Sequence, residues 1–409
     1  MIDLIRVQRP TLAILGVRGV PGTHGGFETF ATRLAPYLVQ SGWSVRVYCQ
    51  ESAPSAAQSG GKTRWMSAWE GVTRIHISVP RDSAVNSVRF DWLCISDVLE
   101  ARPDAVLILG YNTAVFAARL NGAGIPTVIN MDGMEWWREK WGPLEKAWLY
   151  VNERAACSLA QHLIADHPEI ERHLQTRAEA AKISVIPYGA DCNETAPELS
   201  ADELRSLLER VGVGPERFAT VIARPEPENS ILEIVQAFSA RKRNIRLVVL
   251  GRYYADRVHY HAAVRAAASA EVVFPGPIYE PASVQALRRR SLFHLHGHRV
   301  GGCNPSLLEA MGAGKAVIAH DNRFNRWVAR NGAAYFADAA ECCALIGEYL
   351  EDPEQVARRA ELNRRRAADV FNWDDVLRSY AQLLTAVSRP ASALSSAWVR
   401  RSPWRLDAR

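Results

Sequence analysis

Strand-length apolar runs alternate with helical patterns along almost the whole chain, and that alternation leaves few folds open. The first run, 11–15, ends at Gly16, and Phe27, Phe30, Ala31, Leu34 and Leu38 follow at helical spacing. Residues 45–49 form the next strand candidate, and Ile75, Ile77 and Val79 alternate. Runs at 105–109, 127–131, 163–165 and 183–187 continue the series. Such a βαβ succession predicts a parallel sheet covered on both faces. After Asp191 the chain turns polar through Asn193, Glu194, Thr195, Pro197 and Glu198, which predicts a linker. A second series then begins, with strands at 219–223, 247–251, 272–274, 292–295 and 316–319 and a helix marked by Ile231, Ile234, Val235 and Phe238. The expected fold class is α/β, with two Rossmann-like doubly wound domains facing across a cleft at the carboxyl ends of their strands. We place the first domain at 1–192, the second at 193–372, a returning helix at 373–387 and a basic tail at 388–409.

With 409 residues, 48% hydrophobic and 23% charged, the chain can bury a sizeable core in each half. The net charge of +5 suits phosphorylated ligands or an anionic membrane surface and argues against a nucleic-acid partner. Seven scattered cysteines without CxxC spacing favour a reducing cytoplasm over a disulfide framework. No apolar run reaches the roughly 18–20 residues of a membrane span.

The segment from His294 to Gly314 carries the sharpest signal: an apolar strand, a polar glycine loop, and a helix opening at Pro305. Backbone N–H groups and the positive end of the helix dipole then meet at the sheet edge, where an anion can sit. Glu309, one turn into the helix, suits the hydroxyls of a ribose. The segment reads as a nucleotide site without a lysine-bearing P-loop, with Gly301, Gly302, Asn304, Pro305, Ser306, Leu307 and Glu309 as donor-binding candidates. His294, His296 and His298 alternate on one face of the strand end. Hydrogen-bonded histidines lining the cleft explain them better than a metal site, because no acidic or cysteine partner is near. We therefore expect no metal and no cofactor.

Three other loops follow strand ends. Residues 16–28 form a glycine-rich turn in which Gly25 and Gly26 adjoin the helix start, an arrangement fit for an anion or for a plain βα turn. Residues 130–141 combine Asp132 and Glu135 with Trp136, Trp137 and Trp141, whose apolar planes suit sugar rings; core tryptophans with solvated charges are the alternative. Arg224 opens the first loop of the second series and is placed to fork a diphosphate. The clusters Arg241-Lys242-Arg243, Arg288-Arg289-Arg290 and Arg364-Arg365-Arg366 read as solvated helix faces.

Together these stretches resemble the GT-B glycosyltransferases of retaining family 4, and within it the bacterial rhamnosyltransferase-like branch. The matching pieces are Gly19-Val20-Pro21 with Gly25-Gly26-Phe27-Glu28-Thr29-Phe30; Asp132-Gly133-Met134-Glu135-Trp136; Ile186-Pro187-Tyr188-Gly189-Ala190-Asp191; Arg224 with Pro227-Glu228-Asn229; Gly276-Pro277-Ile278-Tyr279; and His296-Gly297-His298 with Gly301-Gly302 and Asn304-Pro305-Ser306-Leu307-Leu308-Glu309-Ala310-Met311. The resemblance implies a nucleotide-diphosphate sugar bound mainly by the second domain, with Glu309 on the ribose and Arg224, Asn229 and the Gly25-Gly26 backbone toward the diphosphate. Asp132, Arg224 and His298 are the catalytic candidates it implies. It places the acceptor mainly on the first domain, where Arg18, Glu28, Glu135, Trp136 and Arg138 are the candidates. A C-terminal helix over 374–386 is expected to return to the first domain. The chain departs from the broader family at Gly301 and Asn229, where a glutamate and a lysine are usual, and at Asp132, near the usual place of a histidine.

The expected function is transfer of a sugar, with rhamnose from a dTDP donor as the leading case, onto a lipid-linked or polysaccharide acceptor at the inner face of the cell membrane. The partners expected are the donor, the glycan acceptor and an anionic membrane surface touched peripherally. A sugar-nucleotide epimerase and a non-catalytic nucleotide-sugar-binding regulator are the alternatives.

Overall fold

The computed structural model of the chain describes residues 9–22, 25–52, 60–81, 83–191, 198–388 and 404. The chain divides into two compact units. The first comprises residues 1–136, 143–186 and 374–409, and the second 137–142 and 187–373.

Among the described residues, the first unit is built on eight strands. They are β1 (Thr11–Leu15), β2 (Ser44–Glu51), β3 (Arg64–Trp69), β4 (Val72–Ser78), β5 (Ala105–Leu109), β6 (Thr127–Asn130), β7 (His162–Ala165) and β8 (Ile183–Val185). Their order is β3-β4-β2-β1-β5-β6-β7-β8, parallel throughout except for the antiparallel β3–β4 pair. β5 and β6 are buried along their full length. Both faces of the sheet are covered, so these strands are apolar runs rather than alternating ones. β3, at the edge, alternates exposed and half-buried residues instead.

The second unit holds a six-stranded parallel sheet among its described residues. Its strands are β9 (Phe218–Ile222), β10 (Arg246–Leu250), β11 (Val272–Val273), β12 (Phe293–His296), β13 (Ala316–His320) and β14 (Ala333–Phe336). The order β11-β10-β9-β12-β13-β14 reverses direction between β9 and β12. A core of Ile234, Phe238, Leu247, Phe293, Ile318 and Phe336 packs one face of this sheet. The helix Ala201–Val211 opens on a capping box, Ser200 with Glu203, and stops at Gly212 in the left-handed conformation. Where the second unit begins and where it ends, the chain meets itself: Ala190 N–H donates to Phe371 O at 2.6 Å. Gly189 lies under Trp373, where a Cβ would come within 2.4 Å of the indole. The helix Trp373–Val387 then belongs, from Asp374 on, to the first unit.

The three arginine clusters are not solvated faces throughout, and this corrects the sequence expectation. In each, one guanidinium turns inward to meet a group that would otherwise go unpaired. Arg243 is 7% exposed and donates to Phe238 O and Ala237 O, the last carbonyls of the helix Ile231–Ser239. Arg366 donates to Val328 O and Trp327 O, both at 2.7 Å, at the end of the helix Arg323–Ala329. Arg288 is equally buried and ion-paired with Glu309.

Candidate functional site

In a doubly wound sheet, ligands collect outside the carboxyl ends of the strands where the strand order reverses. In the second unit that point lies between β9 and β12, so the loops 223–229 and 297–304 form it. These loops are stitched to each other. Asn229 Nδ2 donates to Arg224 O at 2.8 Å, and His298 Nδ1 lies 2.6 Å from Asn229 Oδ1. Since the amide nitrogen of Asn229 is committed to a carbonyl, its oxygen is the acceptor and His298 Nδ1 the donor. Arg299 N–H donates to Glu228 O at 2.9 Å. Gly297 is required here, because a Cβ would fall 2.1 Å from Asn229 O.

The loop delivers the chain to the helix Pro305–Gly312, with Pro305 in its first turn and Asn304 as cap. Asn304 Oδ1 accepts from Ser306 N–H at 3.0 Å, and Ser306 Oγ donates to Ile222 O at 2.7 Å, tying the helix start to the end of β9. Gly301 adopts φ +104° with little around it. Arg224 is exposed at the same place. Burial, and then the charges of Arg138 and Arg224, push the His298 imidazole down to about 3, so it is neutral at physiological pH. Burial also lowers His296 to about 3, and carries His294 well below its usual range. His294 Nδ1 meets Thr220 Oγ1 at 3.1 Å, while the Nε2 atoms of His294 and His296 are buried without a hydrogen-bond partner among the described residues. Among the described residues no cluster of His, Cys, Asp and Glu could hold a metal ion.

Glu309 lies one turn into the helix, and its Oε2 accepts from Arg288. Arg288 fixes the carboxylate from below, a role the sequence reading missed. The signal was present: in the helix Pro281–Arg290, Val284 and Arg288 are four apart and Leu287 is buried, so helical spacing turns Arg288 inward.

Glu228 is the second residue missed. It is 1% exposed and paired with Arg138, an acceptor candidate by sequence, which the contacts group with the second unit. Nothing in the sequence distinguishes Glu228 from Glu226, which is half-buried in the same polar loop; only the fold buries Glu228 fully.

In the first unit the glycine loop after β1 is shaped by Glu28. Its Oε1 accepts from Arg18 N–H at 3.1 Å, and a Cβ on Gly25 would lie 2.2 Å from its Oε2. Glu28 therefore folds the loop. The Arg18 guanidinium reaches out 4.0 Å from Asp91 and rests over the Phe90 ring. Gly25 has φ +102° and precedes the helix Gly26–Gln40. Thr23 and His24 lie outside the described residues.

After β6 the chain turns sharply. Asp132 adopts φ +52°, a conformation that costs a non-glycine residue and clusters at functional sites. Its N–H donates to Asn130 Oδ1, while Asn130 Nδ2 donates to Tyr380 Oη at 2.7 Å. Glu135 N–H donates to Tyr111 Oη at 2.7 Å. Trp136 is half-buried and held by Glu153, the third residue missed, whose Oε2 accepts from Trp136 Nε1 at 2.8 Å. Burial raises Glu153, but donors from His173 and Trp136 outweigh it and leave the carboxyl below its ordinary range. Trp136 also packs edge-on against Tyr150. The helix Pro143–Leu159 exposes Leu144, Ala147, Trp148 and Val151 on one stripe, with Leu144 84% and Val151 52% exposed. Of the tail, Trp404 is described and buried; Trp398, Arg400, Arg401 and Arg405 lie outside the described residues.

These two sheets and the loops at their carboxyl edges define a class, and the comparisons agree with it. Residues 210–366 match the family model "Glycosyl transferases group 1". Residues 9–191 match "Domain of unknown function (DUF1972)". No curated protein sequence matches the chain. Among solved structures, sucrose-phosphate synthase from Thermosynechococcus elongatus is similar at TM-score 0.76 and 16% identity, covering 92% of this chain and 98% of its own. HepE of Anabaena in complex with UDP gives TM-score 0.69 and 15% identity over 92% of this chain and 99% of its own. An α,α-trehalose-phosphate synthase (UDP-forming) from Burkholderia vietnamiensis gives 0.69 and 13% over 93% and 99%. The fold is GT-B, and the match to the glycosyl transferases group 1 model falls within its second unit.

Proposed function

We propose that this chain transfers a sugar, with retention, from a nucleoside diphosphate to a lipid-linked or polysaccharide acceptor, and that the donor is dTDP-rhamnose. One observation carries the reading. The strand-order reversal of the second sheet gathers an exposed guanidinium, a glycine loop and a capped helix start, with a carboxylate one turn below. Anionic phosphates suit the first three and ribose hydroxyls the fourth. The UDP bound to HepE supports a nucleoside diphosphate as ligand. The rhamnose and dTDP assignments rest on the sequence resemblance.

As the glycosidic bond to the diphosphate breaks, negative charge grows on the leaving phosphate while the sugar becomes oxocarbenium-like. Arg224 and the backbone of the glycine loop at Gly301 and Gly302 are placed to receive that charge. The acceptor hydroxyl attacks the anomeric carbon on the face the diphosphate leaves, and a phosphate oxygen takes its proton. The experiment is product analysis with purified chain, dTDP-rhamnose and a lipid-linked glycan. Donor consumption without a glycosylated product would defeat the reading.

Glu309→Ala tests the ribose assignment. Losing a hydrogen bond to a charged group should cost about 1.5–3 kcal/mol of dTDP affinity by calorimetry. Arg288→Ala should weaken binding in the same direction, because Glu309 loses the group that orients it. Unchanged affinity in a folded Glu309→Ala chain would remove the assignment.

For the acceptor side we propose a peripheral membrane contact through the exposed stripe of Leu144, Trp148 and Val151. No helix among the described residues is long and apolar enough to cross a membrane. Tryptophan favours the membrane–water interface, and basic residues nearby favour anionic lipid. The chain should co-sediment with anionic vesicles at low salt, and Leu144→Ser with Trp148→Ala should reduce the bound fraction. A chain that ignores anionic vesicles has a soluble acceptor instead.

A further inference from the structure

We propose that Glu228 recognises the sugar carried on the nucleotide, with one carboxylate oxygen held by Arg138 and the other receiving a sugar hydroxyl. The inference rests on the transferase reading and names a specificity residue within it.

The two oxygens of Glu228 are in different situations. Oε1 accepts from Arg138 Nε at 2.8 Å and also from a terminal nitrogen of the same guanidinium. Oε2 is buried and has no hydrogen-bond partner among the described residues. A buried carboxylate is tolerated when it is paired and its remaining lone pairs are met; an unmet one is costly. Arg138 satisfies half of this requirement. The two donors that Arg138 directs at Glu228 go to the same oxygen, so the pair leaves the second oxygen for another group.

The place of Glu228 says what that group is. It lies in the turn Pro227–Asn229, within the first loop of the second sheet and at the strand-order reversal. Its own carbonyl is bonded to Arg299, and its neighbour Asn229 is bonded to His298. Arg138 is close enough to bear electrostatically on His298. The carboxylate is thus inside the cluster that we assign to the nucleotide sugar, yet it cannot serve the diphosphate, which it repels. The ribose already has Glu309. Of the parts of a nucleotide sugar, the base and the sugar remain; the sugar is joined directly to the diphosphate, beside the loop that holds Arg224, Glu228 and Asn229, and its hydroxyls are neutral donors a carboxylate accepts. A site built to bond a hydroxyl also discriminates strongly against a ligand without it, since its buried acceptor is then left unpaired.

The test compares binding of dTDP, UDP, dTDP-rhamnose and UDP-glucose to the full chain and to Glu228→Gln. The variant keeps an oxygen for Arg138 and replaces the other by a donor. For wild type, the sugar should add to the affinity of the nucleotide that binds. In Glu228→Gln that added affinity should fall about 10- to 100-fold, the range for a hydrogen bond to a charged group, while the free nucleotide binds as before. An unchanged sugar contribution overturns the proposal. So does equal loss of nucleotide and nucleotide sugar, which would make the pair a structural one. A wild type that binds none of the four overturns the transferase reading, and this inference with it. Should Glu228→Gln fail to fold, dTDP-rhamnose analogues each lacking one hydroxyl decide the matter on wild type. One of them should bind about tenfold weaker; equal binding of all overturns the proposal.

Discussion

Arg224→Ala is expected to lower turnover about 10²–10³-fold, the usual effect of removing one preorganised stabiliser of a transition-state charge. The thermal midpoint should stay close to that of wild type. Arg224 is exposed, and its side chain is not engaged in any ion pair among the described residues. Removing it therefore breaks no packing; only the loop carbonyl, which any residue supplies, is bonded to Asn229. Initial rates and thermal melts on the same preparation check this. A variant with near-normal turnover would move the charge-stabilising role to another group.

The second large effect is on stability in acid. The His296 imidazole is 3% exposed and lowered from the ordinary 6.5 to about 3. The unfolded chain binds a proton near pH 6.5, and the folded chain resists it until about pH 3. The stabilising difference is complete above the unfolded value and is lost as pH falls between the two. At pH 5 this one residue should already cost about 2 kcal/mol relative to neutral pH. His294 and His298 are shifted in the same direction and add to the loss. Denaturant titrations of the full chain should show stability dropping steadily from pH 7 to 5. His296→Leu should flatten that slope. Constant stability over this window would mean that the imidazoles are protonated in the fold.

The histidines show well what a sequence can disclose. Alternation at 294, 296 and 298 announced side chains on one face of the strand end, and the ring contacts of His294 with His296 and of His296 with His298 follow from it. The strand ends were legible for the same reason: continuous apolar runs such as 105–109 and 316–319 belong to strands buried on both faces. The start of the helix at Pro305 followed from local chemistry, a cap and a proline. The partners of the site were not legible. Arg288 and Glu309 are 21 residues apart, and Arg138 and Glu228 are 90 apart. Charges that pair over such distances look like any solvated charge until the sheet brings them together. The arginine clusters were misread on this account, because a run of like residues hides the one member that faces inward.

The path of the chain through its two units sets an order of assembly. Asn130 Nδ2 and Tyr380 Oη, 250 residues apart in sequence, are bonded within the first unit. Everything from Pro187 to Trp373 lies between them and belongs to the other unit, whose own start and finish are clasped at Ala190 and Phe371. Closing a contact of that span in a loose chain is slow and entropically costly, and folding the intervening segment first shortens the loop. On a ribosome, the half that emerges first must therefore wait. Its sheet can form early, but Asn130, which steadies the Asp132 turn, finds its tyrosine only after the second unit has been made and folded. The turn at Asp132 would then be the last part of the first unit to mature, although its own strands emerge first.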